Sequence, residues 1–258
     1  MRPLWRQAAR LTGRAKIERF RPIEDRAVSR VPENSPESSP EQAPAAAAIE
    51  QPRARLLELA GGAAGSRLAR AIDFLIEIDR LKSVLRRTLL ADGSRRENSA
   101  EHSWHLCLFA LVLAEHSGAE IDLTRVLKML LVHDIVEVDA GDTFCYDEDA
   151  LSGKDERERR AALRIFGLLP DDVGLELRLL WEEFEQRTTP EARFANAVDR
   201  LQPMLHNLLT RGHSWREHGV GKHQVLERNA PIDDGAPDLW RFAEAFLDEA
   251  EEAGWFGE

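Results

Sequence analysis

Cysteine is scarce in this chain, with only Cys107 and Cys145 among its 258 residues. The two thiols do not form a C-x-x-C pair and cannot supply a disulfide framework, so we exclude a disulfide-stabilised secreted scaffold. We expect a reducing compartment, the cytoplasm. Long apolar runs are missing as well: none reaches the roughly 20 residues that a membrane-spanning helix needs. The sequence therefore predicts no membrane span.

Positive charge is in short supply, with 35 Lys and Arg against 46 Asp and Glu and a net charge of −11. Residues 1–55 hold 11 basic against 7 acidic residues, and the rest of the chain holds 24 against 39. A body this acidic repels the phosphate backbone of DNA and RNA, so a long nucleic acid is not expected as a partner. A small anionic substrate is compatible with it, provided that a metal ion or a local arginine cluster receives the charge.

Residues 1–65 have the composition of a non-globular extension. Residues 1–30 are rich in arginine and have no apolar core of the secretory type. An unstructured arm, an amphipathic helix, a surface-binding segment and an organelle-targeting peptide all fit them. Residues 31–55 are rich in Pro, Ser, Glu and Ala, which predicts a disordered linker. We place the folded domain at residues 66–258, beginning near Ser66.

Strand patterns are missing too, since no apolar–polar alternation extends beyond four residues and no repeat of fixed period occurs. Apolar residues recur instead at helical spacing. Helices are predicted over residues 67–90, 100–117, 122–138, 153–167, 172–187, 190–210 and 237–253. The predicted fold class is all-α, a helical bundle with a disordered N-terminal extension.

Residues 126–142, V-L-K-M-L-L-V-H-D-I-V-E-V-D-A-G-D, place ionisable groups inside an apolar run. The apolar residues would cover more than one face of a helix, which is typical of a buried element. His133, Asp134 and Glu137 fall within it. An unpaired carboxylate in a core costs on the order of several kcal/mol unless a charge or a metal compensates it. A hydrogen-bonded His–Asp pair is one interpretation, and a metal site is the other.

Two further residues of the ligand type lie on predicted helices far away in sequence. His102 stands in E-H-S-W, and Asp199 stands in A-V-D-R-L-Q. A helical bundle can bring both to His133 and Asp134, although Asp199 could also be an ordinary salt-bridge partner. Two imidazoles and two carboxylates suit a divalent ion of the Mn, Co, Mg, Fe or Zn kind rather than a thiolate site. Such a set leaves coordination positions open for water and a phosphate oxygen.

These motifs together resemble those of the HD-domain metal-dependent phosphohydrolases. The resemblance is carried by H-D-x-x-E-x-x-x-G-D at residues 133–142, with E-H-S upstream and A-R-F-A-N-A-V-D downstream. Within that family it is similar to the 5′-deoxynucleotidase branch, including the HD-domain-containing protein 2 type, over roughly residues 68–250. The resemblance implies an all-helical domain and a divalent metal on the four candidate ligands. It also implies hydrolysis of deoxynucleoside 5′-monophosphates and a homodimer.

The resemblance gives roles to residues near the ligands as well. Glu137 would hold a water or pass a proton to the leaving 5′-oxygen, and Asp142 would contact the reacting centre or the sugar. Arg86 matches a substrate-contacting arginine, and Arg95 is a second candidate for the phosphate. Ordinary solvated arginines are the alternative for both. Family members carry Trp soon after that arginine to reject ribonucleotides, whereas this chain has Thr88-Leu89-Leu90, so the sugar preference stays open.

Three other functions compete with a 5′-nucleotidase. A phosphodiesterase or alarmone hydrolase would use the same site, but the chain has no G-Y-P element and Val138, not a second acid, follows Glu137. A nucleotide-binding regulatory protein would not need the complete set of site residues that is present here. A di-iron oxygenase would need more histidines at ligand spacing. We therefore expect a metal-dependent hydrolase of nucleoside 5′-monophosphates.

Overall fold

The computed structural model describes residues 46–61, 66–146 and 152–257. The arm predicted at residues 1–30 and the linker residues 31–45 lie outside the described residues. The domain is all-α apart from a small two-stranded sheet. Its elements are α1 (Ala46–Leu59), α2 (Arg67–Ile78), β1 (Leu85–Leu89), β2 (Arg96–Asn98), α3 (Ser99–Leu113), α4 (Leu123–Val132), α5 (Glu137–Ala140), α6 (Lys154–Phe166), α7 (Asp171–Gln186), α8 (Pro190–Leu209), α9 (His213–Glu217), α10 (Lys222–Asn229), α11 (Ile232–Gly235) and α12 (Pro237–Glu252).

Helix α8 forms the centre of this domain. Thirteen of its twenty residues are buried, and it packs against α3, α4, α7 and α11. The Thr189 side chain caps its start by accepting a hydrogen bond from the Ala192 amide. Pro190 occupies the first turn, where the missing N–H costs little. Asp199 therefore lies midway along the most buried helix of the domain. In the part of the chain that the structure describes, no helix is long and apolar enough to cross a membrane.

Helices α3 and α4 begin at well-defined caps. Asn98 accepts hydrogen bonds from the Ala100 and Glu101 amides, and the Glu101 carboxylate accepts one from the Asn98 amide. Asp122 caps α4 through the Thr124 amide. Such caps satisfy amides that have no partner within the helix, and they fix where each helix starts. The register of α3, and with it the direction of the His102 side chain, follows from the Asn98 cap.

The structure corrects the prediction of one helix over residues 67–90. Helix α2 ends at Ile78, a 3₁₀ segment covers Asp79–Ser83, and β1 then pairs with β2 in an antiparallel hairpin. Gly93 has φ 71° in the turn, and Asp92 accepts a hydrogen bond from the Ser94 amide. An Asp-Gly pair between two short extended segments is a hairpin signal. The hairpin brings Arg86 of β1 and Glu97 of β2 to the same place.

The helix predicted over residues 122–138 is broken in the structure. Helix α4 ends at Val132, residues 133–136 form a turn, and α5 begins at Glu137. The amides of Ile135 and Glu137 donate to carbonyls three residues earlier, as in a tightened turn. His133 and Asp134 therefore lie at a helix break and not in the middle of a continuous helix.

Helix α1 covers residues that the sequence assigned to a disordered segment. Arg53 donates from its Nε atom to Asp73 of α2 at 2.7 Å and from Nη1 to Glu77 at 3.3 Å. Alanine has the highest helix propensity, so the A-A-A-A run favours a helix once α2 offers these partners. Ser66 caps α2 by accepting a hydrogen bond from the Ala69 amide. The domain boundary near Ser66 stays a prediction.

Glu77 of α2 is the central residue of a network of ion pairs next to α5. Its buried carboxylate accepts hydrogen bonds from Arg80 at 2.7 Å and from Arg164 of α6 at 2.8 Å, besides the contact with Arg53. Arg164 also pairs with Asp139 of α5. Burial alone would raise the pKa of Glu77, but the arginines outweigh it and lower that pKa. The network joins α1, α2 and α6 to the short helix that carries Glu137.

The cap of α3 gives a test of this fold. We expect Asn98→Ala to lower the free energy of unfolding by about 1 kcal/mol, because two amides lose their acceptor. Urea unfolding followed by circular dichroism measures the change. Asn98→Asp keeps an acceptor and serves as the control, with stability close to that of the unsubstituted chain. Equal stability of Asn98→Ala and the unsubstituted chain would contradict the assigned cap.

Candidate metal centre and substrate cleft

The four predicted ligands converge from three parts of the fold. His102 comes from α3, His133 and Asp134 from the break after α4, and Asp199 from α8. The His102 Nε2 atom lies 3.0 Å from Asp199 Oδ1, and the His133 Nε2 atom lies 3.7 Å from the same oxygen. Asp134 Oδ1 lies 3.1 Å from His133 Nε2. The ligand atoms of His102, His133 and Asp199 all lie within 4.8 Å of one another, close enough to share one cation.

Hydrogen bonds on the far side of each imidazole aim its Nε2 atom at this point. The Nδ1 atom of His133 lies 2.9 Å from the Leu130 carbonyl, which can only accept, so Nδ1 carries the hydrogen. The Nδ1 atom of His102 lies 3.2 Å from Gln202 Oε1 and 3.3 Å from Glu97 Oε2, with the same consequence. Both Nε2 lone pairs therefore face the carboxylate oxygens, as metal-ligating histidines require. Nε2 of His133 is buried and makes no well-directed hydrogen bond, which fits a divalent ion there.

The ionisable groups of this centre strongly change one another's pKa values. Burial opposes the charged imidazolium of His133, but the Asp134 and Asp199 carboxylates outweigh burial and raise the pKa of His133 to about 9. Burial alone would raise the pKa of Asp199, yet the neighbouring His102 and His133 imidazoles lower it well below its usual range. Without a metal, a proton on His133 balances the carboxylates. A metal ion must displace that proton, so metal affinity rises with pH up to about pH 9.

Glu137 and Asp142 lie beside the ligands and line the same cleft. Burial and the nearby Asp134 carboxylate raise the pKa of Glu137 well above its usual range, despite the opposing charge of Arg86. Its Oε2 atom accepts a hydrogen bond from Ser99 Oγ at 2.7 Å. Burial also raises the pKa of Asp142, which Arg86 lowers and Asp134 raises. Carboxyl groups with raised pKa values are suited to donate or accept a proton near neutral pH.

The structure separates the two arginines that the sequence proposed for phosphate. Arg86 lies in the cleft, where Nη1 donates to Asp134 Oδ2 at 2.9 Å and Nε lies 3.7 Å from Glu97 Oε2. Arg95 points away on the exposed side of the hairpin, and both of its terminal nitrogens donate to Glu101. Arg95 does not line the cleft. The structure therefore does not bring Arg95 together with the other predicted site residues.

Sequence reasoning missed the polar layer behind His102. The Nε2 atom of Gln202 donates to Glu97 Oε1 at 2.7 Å and lies 3.3 Å from both His105 Nδ1 and His206 Nε2. Glu97, His105 and His206 also have the spacing of a metal-binding group. The Gln202 amide nitrogen already lies among these three acceptor atoms, where a metal ion would have to bind. The signal for Gln202 was its position three residues after Asp199, one helical turn further along α8.

His133, Asp134 and Asp199 line one open cleft with a volume of about 180 Å³. Aromatic and apolar side chains also line it, among them Phe144, Tyr146, Met204 and Trp215. Arg200, the residue after Asp199, also lines it and is buried. Burial and the neighbouring cations Arg228 and Arg187 lower the pKa of Arg200 to about 10. The cleft thus combines a candidate metal centre, positive charge and an apolar surface.

Three comparisons place this geometry among known proteins. A family model described as "HD domain" matches residues 78–240. A crystal structure of a predicted metal-dependent phosphohydrolase from Magnetospirillum magnetotacticum MS-1 is 51% identical, covers 75% of this chain and 97% of that chain, and superposes with a TM-score of 0.72. The 5′-deoxynucleotidase HDDC2 of Danio rerio is 32% identical over 42% of this chain, and that of Homo sapiens is 30% identical over 52%. The matches span 53% and 65% of those two curated relatives.

Gln202 gives a test of the metal centre that leaves every candidate ligand in place. We expect Gln202→Leu to weaken metal binding by about 10-fold to 100-fold, because His102 loses a hydrogen-bond partner that orients its ring. Competition with a coloured chelator measures the affinity. Gln186→Leu removes an exposed amide at the end of α7 and serves as the control. The assigned support of His102 fails if both variants bind metal as the unsubstituted chain does.

Proposed function

Because the chain belongs to the HD domain family, we propose that it is a metal-dependent phosphohydrolase that converts nucleoside 5′-monophosphates to nucleoside and phosphate. The observation that carries this proposal is the convergence of His102, His133 and Asp199, with Asp134 3.1 Å from His133, next to the buried Glu137. The curated relatives named 5′-deoxynucleotidase support the substrate class.

The four ligands would hold one divalent ion. Their nitrogen and oxygen atoms suit Mn, Co, Mg, Fe or Zn, and elemental analysis of the untagged protein would choose among these metals. When bound, such an ion polarises a phosphate oxygen and lowers the pKa of a water molecule. Gln202, Glu97 and the Leu130 carbonyl hold the two imidazoles in the ligating orientation.

Residues of the chain would then divide the chemistry. We assign Arg86 to orienting the phosphate, because its guanidinium lies beside Asp134 and has further N–H donors. Water attacks phosphorus as the bond to the 5′-oxygen breaks, and Glu137 donates its proton to that oxygen. The raised pKa of Glu137 supports this role. Asp142, on the loop after Gly141, would contact the reacting centre or the sugar.

The sugar and the base would extend toward the apolar end of the cleft. Thr88 of β1 lines the cleft, in the stretch soon after Arg86 where the resembling family carries tryptophan and this chain has Thr88-Leu89-Leu90. A smaller side chain leaves more room around the 2′ position of the sugar. We propose that the protein discriminates only weakly against ribonucleotides. Rates for matched ribo- and deoxyribonucleotides should differ by less than about tenfold, because the pocket does not hydrogen-bond the 2′-hydroxyl group.

A nucleotide panel tests the function. We expect the full chain to release phosphate from nucleoside 5′-monophosphates only with a divalent metal. Asp134→Ala should abolish release, and Glu137→Gln should lower kcat by about 10²-fold to 10⁴-fold because the leaving oxygen loses its proton donor. Glu120→Gln, an exposed change outside the cleft, is the control.

Three outcomes would redirect the assignment. Release from phosphodiesters but not monophosphates would identify a phosphodiesterase using the same site. Tight nucleotide binding without turnover would identify a regulatory protein. Absence of metal-dependent release from every nucleotide, or full activity of Asp134→Ala, would end the phosphohydrolase proposal.

We also propose that the protein is a homodimer, because α3 keeps an uncovered apolar face. Trp104, Leu108, Leu111 and Val112 recur at helical spacing and are 41–70% exposed. A helix that is apolar on all sides is typical of a fully buried position. The opposite face of α3 already carries the buried Leu106 and Ala110. A second copy of the chain is the partner that we assign to the outer face.

Charge placed on this face tests the dimer. We expect Val112→Glu to convert the protein to a monomer in light scattering coupled to gel filtration, because the interface would then bury an unpaired carboxylate. Leu175→Glu, an exposed change on α7, should leave the dimer intact. A monomeric unsubstituted chain, or a dimeric Val112→Glu variant, would refute the assignment.

The compartment and the N-terminal residues belong to the same proposal. We assign the protein to the cytoplasm, where thiols such as Cys107 and Cys145 stay reduced; neither forms a disulfide in the structure. Organelle targeting by residues 1–30 is the alternative, and it concerns residues outside the described ranges. We assign residues 66–258 to the phosphohydrolase domain, with α1 packed on its surface.

A further inference from the structure

Arg200 is a buried cation that has no carboxylate partner among the described residues. Only 7% of the residue is exposed. Its Nη1 atom donates to the Arg228 carbonyl, and its Nε atom is buried without a hydrogen-bond partner. No carboxylate of the described residues lies within ion-pair distance of it, in contrast to Arg86, which contacts both Asp134 and Glu97. A buried unpaired charge is costly, so Arg200 is suited to receive an anion.

Two more arginines surround the same part of the cleft. Arg187, at the end of α7, and Arg228, on α10, line the cleft together with Arg200. Neither forms an ion pair with another described residue. The protein as a whole has a net charge of −11, so three arginines without a carboxylate partner among the described residues are a local exception at one cleft. We call these three residues the positive wall of the cleft.

The position of Arg200 relates this wall to the metal centre. Arg200 directly follows Asp199 on α8, so the two Cα atoms are about 3.8 Å apart. Both side chains line the same cleft. A tetrahedral oxyanion that contacts an ion held by Asp199 would therefore share this cleft with Arg200. A guanidinium matches phosphate oxygens through two parallel N–H donors, and Arg200 has such donors unused.

We propose that Arg200, with Arg187 and Arg228 at the rim, forms an anion subsite that binds the phosphate group of the substrate. The assignment of the anion as a substrate phosphate rests on the proposed function. Arg200 contacts the phosphate directly, whereas Arg86 holds Asp134 in place and reaches the phosphate with its remaining donors. The subsite also explains why a cation is retained in the interior beside a metal ligand.

Inorganic phosphate is the probe for this subsite. We expect Arg200→Met in the metal-loaded full chain to weaken phosphate binding by about 10-fold to 100-fold in isothermal titration calorimetry, the range for a lost hydrogen bond to a charged group. Arg160→Met, an exposed change on α6, should bind phosphate as the unsubstituted chain does. Without phosphate, Arg200→Met should melt at the same temperature or higher, because it removes an unpaired buried charge.

Melting behaviour separates a ligand role from a structural one. A structural Arg200 would make Arg200→Met melt lower while phosphate affinity stays unchanged, and that result overturns the proposal. If Arg200→Met does not fold, Arg228→Met decides instead, because Arg228 is exposed and its substitution removes no buried side chain. A severalfold loss of phosphate affinity in that variant supports the subsite, and an unchanged affinity overturns it.

Kinetics separate this proposal from the proposed function. If no nucleotide is hydrolysed but phosphate binding depends on Arg200, the subsite stands and the nucleotidase assignment fails. If nucleotides are hydrolysed with the same KM, kcat and phosphate affinity in Arg200→Met, the function stands and the subsite fails. A raised KM with lowered kcat supports a contact that persists from the bound substrate to the transition state.

Discussion

Two imidazole rings held in fixed orientation are the constraint on which the rest of this structure depends. Each ring donates from Nδ1 to an acceptor behind it, and each leaves Nε2 facing the carboxylate of Asp199. Those acceptors come from different elements: the Leu130 carbonyl of α4, Gln202 of α8 and Glu97 of β2. The helix break after Val132, the cap at Asn98 and the burial of α8 all serve to keep these partners in register.

Charge balance explains how so many ionisable groups coexist in one core. Arg86 lies between Asp134 and Glu97 and neutralises part of a carboxylate cluster that would otherwise repel itself. When no metal ion is bound, a proton on His133 balances the remaining negative charge of the carboxylates. Arg200, in contrast, forms no ion pair with another described residue and lines the cleft. The charges of the centre are therefore compensated mainly by Arg86 and His133.

The sequence predicted the fold class. It also singled out the four residues that the structure brings together, because His133, Asp134 and Asp199 interrupt apolar helical patterns; their role as metal ligands stays a prediction. It did not predict the hairpin: Leu85 continues a helical apolar spacing, and local spacing cannot show that Asp92–Gly93 reverses the chain. Helix α1 was missed because its stability comes from ion pairs with α2, which composition does not reveal. Gln202 and Arg200 were overlooked since both roles depend on neighbours from other elements.

The ion network around Glu77 couples the N-terminal side of the domain to its chemistry. Arg53 of α1 and Arg164 of α6 meet on one carboxylate, and Arg164 continues to Asp139, two residues after Glu137. Removal of α1 by a protease cut after Leu59, or displacement of α1 by another protein, would take Arg53 out of this network. The contacts that hold α5 in place would then be weaker. Under the proposed function, turnover would then be sensitive to ionic strength and to any protein that binds α1.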